Sequence, residues 1–154
     1  MILIRKANSK DLYNQARVLF IEYAKFLDID LSFQYFEQEL KSLSIFYNIP
    51  KGCLLLAYFK GNLAGCVGLR YFKNEICEMK RLYVRPDYRR KKIGLELSKS
   101  IINRAKEIGY KVMRLDTLPF MKEAINLYLS LGFKEILPYR FNPIENAKFY
   151  ELKL

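Results

Sequence analysis

A run of basic residues lies between two apolar segments in the stretch YVRPDYRRKKIGLEL, residues 83–97. Four consecutive cations, Arg89 to Lys92, are followed by Gly94 and by a segment with helical spacing. The first turn of a helix has unpaired backbone N–H groups at the positive end of its dipole, and a loop folded inward adds further donors. A strand–loop–helix junction of this composition can bind a pyrophosphate, and Gly94 allows close approach to the backbone.

Two other interpretations of this run are open. It can be a solvated surface loop, and spacing alone does not choose between that loop and an anion site, because short basic motifs have many false positives. It can also be a nucleic-acid interface, which would need basic side chains along one exposed helix face. Nucleic acid is the least favoured partner, because the helix expected after Gly94 carries charges of both signs: Glu96, Lys99, Arg104, Lys106 and Glu107.

The composition limits the charge of the expected partners and the kinds of catalytic and metal-binding groups that the protein can contain. Lys and Arg number 27 against 16 Asp and Glu, and the formal net charge of +11 favours anionic partners. The chain contains no histidine, which excludes a histidine-based catalytic triad, most zinc sites and the commonest general base. We therefore expect no metal centre.

The cysteines are expected to be buried thiols rather than nucleophiles. Cys53, Cys66 and Cys77 each lie singly in an apolar run and form no Cys-x-x-Cys pair, which predicts a reducing compartment. The N-terminal segment MILIRKANSKDLYN has an apolar run too short for a signal peptide, and no later run approaches the length of a membrane span. A cytoplasmic protein without membrane contact is the expectation.

Periodicity predicts a single mixed α/β domain over residues 1–154 with the element order βααβββαβαββ. Asn8 or Ser9 is expected to cap the first helix, and Ser32 the second. The third long helix is expected to begin at Gly94 and to end at Gly109. The predicted segments are residues 2–6, 8–28, 36–46, 53–59, 63–72, 75–85, 94–108, 111–118, 121–133, 134–140 and 147–154.

These residues resemble the GNAT superfamily of acyl-CoA-dependent N-acetyltransferases. Residues 82–94, LYVRPDYRRKKIG, are similar to its acetyl-CoA motif, whose core is [QR]-x-x-G-x-[GA]. Residues 124–133, AINLYLSLGF, are similar to its second motif, A-x-x-[LF]-Y-x-x-x-G-F. The two motifs occur in the right order on the right elements. Two departures stand out: Lys92 replaces the first glycine of the core, and Met121 replaces an asparagine that often precedes the second motif.

The resemblance implies how acetyl-CoA would bind as a co-substrate. Its pantetheine arm would pair with the strand backbone at Leu82, Tyr83 and Val84, where one N–H would polarise the thioester carbonyl. Its pyrophosphate would meet the backbone N–H groups at the start of the following helix. The predicted pyrophosphate-binding residues are Arg89, Arg90, Lys91, Lys92, Ile93, Gly94 and Leu95.

The resemblance also implies two catalytic residues, each with a structural alternative. Glu78 lies where some members carry a catalytic glutamate, and strand alternation places it on one face with Lys80 and Leu82. Otherwise it is a strand carboxylate in an ion pair. Tyr128 matches the tyrosine that returns a proton to the departing thiolate. Otherwise it is a core tyrosine whose hydroxyl reaches a rim.

The sequence does not identify the acceptor, which the resemblance implies is a primary amine on a small molecule or a peptide. Loops form the acceptor walls in this superfamily and vary in sequence; the candidates here are Asp28, Asp30, Tyr139, Arg140 and Asn142. A non-catalytic module that senses acyl-CoA or binds RNA or ribosomes is the rival, because a lysine replaces the motif glycine. A homodimer is compatible with the sequence.

Overall fold

The computed structural model describes residues 1–32 and 35–154. The helices are α1 (Lys10–Leu27), α2 (Phe36–Lys41), α3 (Leu43–Phe46), α4 (Ile93–Ile108) and α5 (Lys122–Ser130). The strands are β1 (Ile2–Lys6), β2 (Cys53–Phe59), β3 (Asn62–Lys73), β4 (Ile76–Val84), β5 (Val112–Thr117), β6 (Lys134–Ile136) and β7 (Lys148–Lys153). Within the described ranges they form one mixed sheet in the order β1-β2-β3-β4-β5-β7-β6.

The predicted element order is confirmed except in the segment after α1. The single helix expected over residues 36–46 is two short helices, because Ser42 leaves the helical conformation at φ −138° and ψ 50°, and serine competes with helical hydrogen bonding. The Ser32 cap is wrong: α2 begins after Tyr35, which is left-handed and makes no capping bond through its side chain. Ser9 caps α1, as one of the two expected alternatives.

Apolar side chains pack on both faces of the sheet. On one face α4 buries Leu97 and Ile101 against the strands. On the other face α1 buries Ala16, Leu19 and Phe20, together with residues of α3. The sheet therefore separates two cores, and β3 and β4 contribute side chains to both.

A bulge interrupts β4 in the middle of the sheet. Between the pairs Gly68–Lys80 and Cys66–Tyr83, β3 has one residue and β4 has two. The extra residue is Arg81, whose φ of 59° is in the left-handed region. Such an insertion bends the strand and reverses the alternation of its side chains.

Because of the bulge, Leu82 lies on a different face of the sheet from the one expected. Glu78 and Lys80 both precede the bulge and alternate with Met79, so they share a face as expected. Leu82 follows the bulge and packs with Met79 in the core beneath α4. The prediction that Leu82 shares a face with Glu78 is therefore wrong, because it assumed unbroken alternation.

The parallel strands β4 and β5 pair only at their N-terminal ends. Their register joins Ile76–Glu78 to Val112–Arg114. Beyond these positions β4 is paired, among the described residues, with β3 alone, while β5 is paired with β7. The C-terminal half of β4 consequently presents an unpaired edge, and the two strands leave an opening between them.

A buried ion pair ties the bulge to α2. Glu39 is 0% exposed and Arg81 6%. The Arg81 Nη2 and Nε atoms lie 2.8 and 3.1 Å from the two oxygens of Glu39, and the Tyr47 hydroxyl donates to Glu39 Oε2 at 2.6 Å. Burial alone would raise the pKa of the Glu39 carboxyl, but the guanidinium and the tyrosine hydroxyl hold that pKa below its ordinary value.

Tyr47, the third residue of this network, packs against a glycine of the sheet. Tyr47 is 0% exposed, and its ring lies directly against Gly68 of β3. A Cβ atom at position 68 would lie 2.5 Å from Tyr47 Cε1, so only glycine allows the ring this close to the sheet. The Phe20 ring meets Tyr47 edge-on, with centroids 5.8 Å apart.

We expect Glu39→Gln to lower the free energy of unfolding by about 3 kcal/mol or more, because it leaves the Arg81 charge buried without a counter-charge. Glu37→Gln, at an exposed position of the same helix, is the matched control and should change stability by less than about 0.5 kcal/mol. Denaturant unfolding followed by circular dichroism measures both. Equal stability of the two variants would contradict the role given to the pair.

The same substitution should change the acid sensitivity of the fold. Because the folded-state pKa of Glu39 is depressed, its contribution is complete above the carboxyl pKa of the unfolded chain, roughly 4.3, and is lost as the pH falls towards the folded-state value. The stability difference between wild type and Glu39→Gln should therefore shrink below about pH 4.

Candidate active site

The loop before α4 presents backbone donors without protein partners. The first intrahelical bond runs from the Glu96 N–H to the Lys92 carbonyl at 3.0 Å. Among residues 1–32 and 35–154, none accepts a hydrogen bond from the N–H groups of residues 90–95. Arg90 and Lys92 have φ values of 63° and 65°, and such left-handed residues turn successive N–H groups inward. The result is a concave set of backbone N–H groups at the start of α4, an arrangement that can bind an anion.

Two side chains of the basic run lie over aromatic rings. The Arg89 guanidinium lies 4.6 Å from the Phe26 ring centroid, and its Nε donates to the Val84 carbonyl at 3.0 Å. The Lys91 Nζ lies 5.4 Å from the centroid of Phe59. The Arg89 backbone N–H donates to the Pro86 carbonyl at 3.3 Å, so the row of open donors begins one residue later than the sequence suggested.

A groove of about 840 Å³ runs past this loop. Phe26 of α1 lies on the groove wall and is 48% exposed. Ile93 contributes backbone only, since its side chain is 1% exposed in the core beneath α4. Of the predicted coenzyme residues, Lys91 and Leu95 do not line the groove, whereas eight do: Leu82, Tyr83, Val84, Arg89, Arg90, Lys92, Ile93 and Gly94.

A smaller cavity lies between β4 and β5. Tyr23, Leu82 and Met121 line both the groove and this cavity, so the two spaces are adjacent. The cavity measures about 40 Å³. Met121, where the motif asparagine was expected, precedes α5 without a side-chain capping bond, and its sulfur accepts a hydrogen bond from the Thr117 hydroxyl at 3.7 Å.

Tyr128 lies in the wall of this cavity. It is 6% exposed, and its ring packs against Phe133 and Tyr150 at centroid distances of 5.7 and 6.5 Å. Burial raises the pKa of its hydroxyl far above the ordinary value. Tyr128 is therefore a neutral phenol at physiological pH, whether its role is catalytic or structural.

Three charged residues line the cavity that the sequence analysis did not assign to the site: Lys80, Arg81 and Asp116. The Asp116 Oδ2 atom accepts a hydrogen bond from Asn142 Nδ2 at 3.3 Å. Burial lowers the pKa of Lys80 to about 8, helped by Arg81 and opposed by Glu78 and Asp116. The available signal was the presence of charged residues inside apolar strand segments, which buried positions tolerate only with partners or a function.

Glu78 lies outside both the groove and the cavity lining. The Tyr139 hydroxyl donates to its Oε2 at 2.7 Å, and Arg140 Nη2 lies 2.6 Å from its Oε1. The Glu78 side chain is 3% exposed. These contacts favour the structural alternative, in which Glu78 holds the loop before β7 that also carries Asn142.

Asp28 and Asp30, two of the residues predicted to form the acceptor walls, lie away from the cavity. Asp28 ends α1 in a left-handed conformation, and Asp30 accepts a hydrogen bond from the Ser32 N–H at 2.9 Å. Both line a separate shallow depression and not the cavity, so they act as turn formers. The cysteines are buried, and burial raises the pKa of Cys77 to about 12.

Within residues 1–32 and 35–154, no three His, Cys, Asp or Glu side chains are grouped so that they could hold a metal ion. No helix in the same ranges is long and apolar enough to cross a membrane.

Comparison with known proteins identifies the family of this chain. Residues 21–133 match the sequence profile of the acetyltransferase (GNAT) family. An uncharacterized N-acetyltransferase of Schizosaccharomyces pombe is 41% identical over 140 residues, covering 90% of this chain and 86% of that protein. One from Dictyostelium discoideum is 33% identical over 215 residues, covering 99% and 100%. An acetyltransferase of the GNAT family from Staphylococcus aureus Mu50 superposes with a TM-score of 0.82 at 25% identity, covering 99% of both chains. The chain belongs to the GNAT family of acetyltransferases.

Proposed function

We propose that this protein transfers the acetyl group of acetyl-CoA to a primary amine by direct attack in a ternary complex. The observation that carries the proposal is the row of backbone N–H groups over residues 90–95. These groups have no acceptor among the described residues, and they border a groove that adjoins the cavity lined by Tyr128. Backbone N–H groups at the start of a helix can bind a phosphate group directly, so this binding does not require a particular side chain in the loop. The pyrophosphate would bind there.

The unpaired edge of β4 supports the position of the pantetheine arm. Past Glu78 this edge has no partner strand within residues 1–32 and 35–154, and such an edge can bind an extended chain through main-chain hydrogen bonds. Leu82, Tyr83 and Val84 would supply these bonds, although the Val84 carbonyl already accepts one from Arg89. The thioester would then lie beside Leu82, where the groove adjoins the cavity.

The cavity residues provide the groups that the reaction requires. The neutral amine forms a bond to the thioester carbonyl carbon, the C–S bond breaks, and the amine nitrogen loses a proton. Tyr128 would donate its proton to the departing sulfur and regain one from solvent. The burial that keeps the phenol neutral would also raise the pKa of the CoA thiol formed beside it. The same environment therefore favours protonation of the departing sulfur.

Asp116 is the carboxylate that we propose accepts the proton of the amine, directly or through water. It lines the cavity, whereas both oxygens of Glu78, the candidate from the sequence, are bound to Tyr139 and Arg140. Holding the reacting amine and the thioester in one enclosed space would supply much of the rate.

Gly94→Ala tests coenzyme binding without disturbing the fold. A Cβ atom at this position would lie 3.6 Å from Leu127 Cδ2 and 3.8 Å from Val84 Cγ2, which are ordinary contacts, so the melting temperature of the free protein should not fall. Because the methyl group enters the groove, we expect the Kd for acetyl-CoA to rise about tenfold, or about 1.4 kcal/mol, by calorimetric titration. Lys99→Ala, at an exposed position of the same helix, is the control.

Two results would contradict this proposal. Equal affinity of Gly94→Ala and Lys99→Ala would place the coenzyme away from the loop. Wild-type protein that binds neither CoA nor acetyl-CoA but binds polynucleotides tightly would support the rival binding module, because a catalyst of this class must hold its acyl donor.

Tyr128→Phe should lower the single-turnover rate of acetyl transfer by about 100-fold, as expected for the loss of a general acid, while the Kd for acetyl-CoA stays the same. Because the pKa of Tyr128 is strongly raised by burial, the wild-type rate should show no decline from ionisation of this phenol below about pH 10. Tyr150→Phe, which removes the hydroxyl from a ring that packs against Tyr128, is the control. An unchanged rate in Tyr128→Phe across this pH range would remove the acid role.

Asp116→Asn and Glu78→Gln separate the two candidate bases. We expect Asp116→Asn to lower kcat/KM by about 100-fold near neutral pH, with partial recovery as the pH rises and more of the amine is already neutral. Glu78→Gln should lower the melting temperature through its lost ion pair and leave kcat within a few-fold. The reverse pattern, a loss of rate only in Glu78→Gln, would reinstate Glu78 as the base.

A further inference from the structure

Three side chains lie at the boundary between the groove and the cavity. Tyr23 of α1, Leu82 of β4 and Met121, which precedes α5, are the described residues that line both spaces. They come from three different elements, and we call them the neck. Since the proposed function places the thioester beside Leu82, the acyl group of the coenzyme would lie at the neck and extend towards the cavity.

Two of the neck residues are held by packing. The ring of Tyr23 meets Tyr83 edge-on, with centroids 5.9 Å apart. Leu82 packs in the core beneath α4. Close-packed side chains of this kind cannot move far without leaving a void, so these two residues form the fixed sides of the neck.

Met121 is held in a different way. Its sulfur accepts a hydrogen bond from the Thr117 hydroxyl at 3.7 Å, and its side chain packs against the apolar cluster of Leu27, Leu31 and Leu118. A thioether is a weak acceptor, and an unbranched side chain with three rotatable bonds fills irregular space. Where the motif asparagine would present a polar amide, this chain therefore presents apolar volume that determines the width of the neck.

The cavity beyond the neck accommodates few atoms. Its volume of about 40 Å³ is room for about three water-sized groups, and the acceptor amine has to share that room. An acetyl group adds one methyl group beyond the carbonyl. A longer chain would have to displace the amine or turn back into the groove, where the pantetheine arm would lie.

We propose that Met121 restricts the acyl donor to thioesters with acyl groups of two or three carbons. The inference rests on the proposed acetyl transfer, and it names the donor class and the residue that selects it. The thioether of Met121 would contact the terminal methyl group of the acyl chain, with the Thr117 hydroxyl holding the sulfur in place. A fourth carbon would meet the thioether.

A series of acyl-CoA compounds tests the limit on chain length without an acceptor. Calorimetric titration of the wild-type protein gives the Kd for CoA, acetyl-CoA, propionyl-CoA, butyryl-CoA and hexanoyl-CoA. CoA is the reference, because it shares the pyrophosphate and the pantetheine arm with the others. We expect acetyl-CoA and propionyl-CoA to bind within a few-fold of CoA, and the two longer compounds to bind at least about tenfold more weakly, as expected for excess methylene groups in a closed apolar site.

Met121→Ala connects the limit to this side chain. Truncation widens the neck, so the Kd for butyryl-CoA should come within a few-fold of the Kd for CoA. Met121→Leu has nearly the same volume and should keep the wild-type ratio, which separates the size of the side chain from its sulfur. Leu129→Ala, at a position of α5 that is 50% exposed, is the matched control and should also keep the wild-type ratio.

Met121→Phe is the reciprocal variant. Its larger and stiffer side chain should narrow the neck and raise the Kd for acetyl-CoA about tenfold relative to the Kd for CoA. If Met121→Ala does not fold, this variant and the wild-type series decide the question.

The outcomes separate this inference from the proposed function. Equal affinity of the wild-type protein for all four acyl-CoA compounds, or unchanged ratios in Met121→Ala and Met121→Phe, would overturn the role of Met121 and leave the acetyltransferase intact. Failure of the wild-type protein to bind CoA or any of its thioesters would instead overturn the proposed function, on which the inference depends.

Discussion

The buried pair between Arg81 and Glu39 is the interaction on which the site depends. Arg81 is the inserted residue of the β4 bulge, with a left-handed backbone, and Glu39 compensates its charge from α2. Without that compensation a guanidinium could not remain buried in the centre of the sheet. The bulge in turn bends β4 away from regular pairing and reverses the faces of the residues that follow it.

Two openings follow from that local geometry. The separation of β4 and β5 gives an unpaired strand edge that borders the groove and the cavity. The loop before α4 adds a set of unbonded N–H groups at one end of the groove, while Tyr128 and Asp116 lie at the other. The strand β4 thus contributes to both spaces: Leu82, Tyr83 and Val84 line the groove, and Lys80, Arg81 and Leu82 line the cavity.

The sequence predicted what depends on periodicity and on local backbone chemistry. The strands, the long helices and the anion loop follow from apolar spacing, glycine positions and the basic run at a strand–helix junction. It did not predict the bulge, because a one-residue insertion depends on the register of the neighbouring strand. Glu78 and Leu82 were consequently assigned to one face, and the inward orientation of Lys80 and Arg81 was missed. Glu39 resembled an ordinary surface residue, because its partner lies in a strand far along the chain.

The contact between Tyr47 and Gly68 couples two positions that are distant in the sequence. Any side chain at position 68 would displace the ring, and the ring carries a hydroxyl that binds Glu39. A substitution on β3 would therefore affect the cavity wall at Arg81 through the aromatic ring and the carboxylate, although no described residue of β3 lines that cavity. Among relatives we would expect a larger residue at position 68 to be accompanied by a smaller one at position 47, so that the pair co-varies.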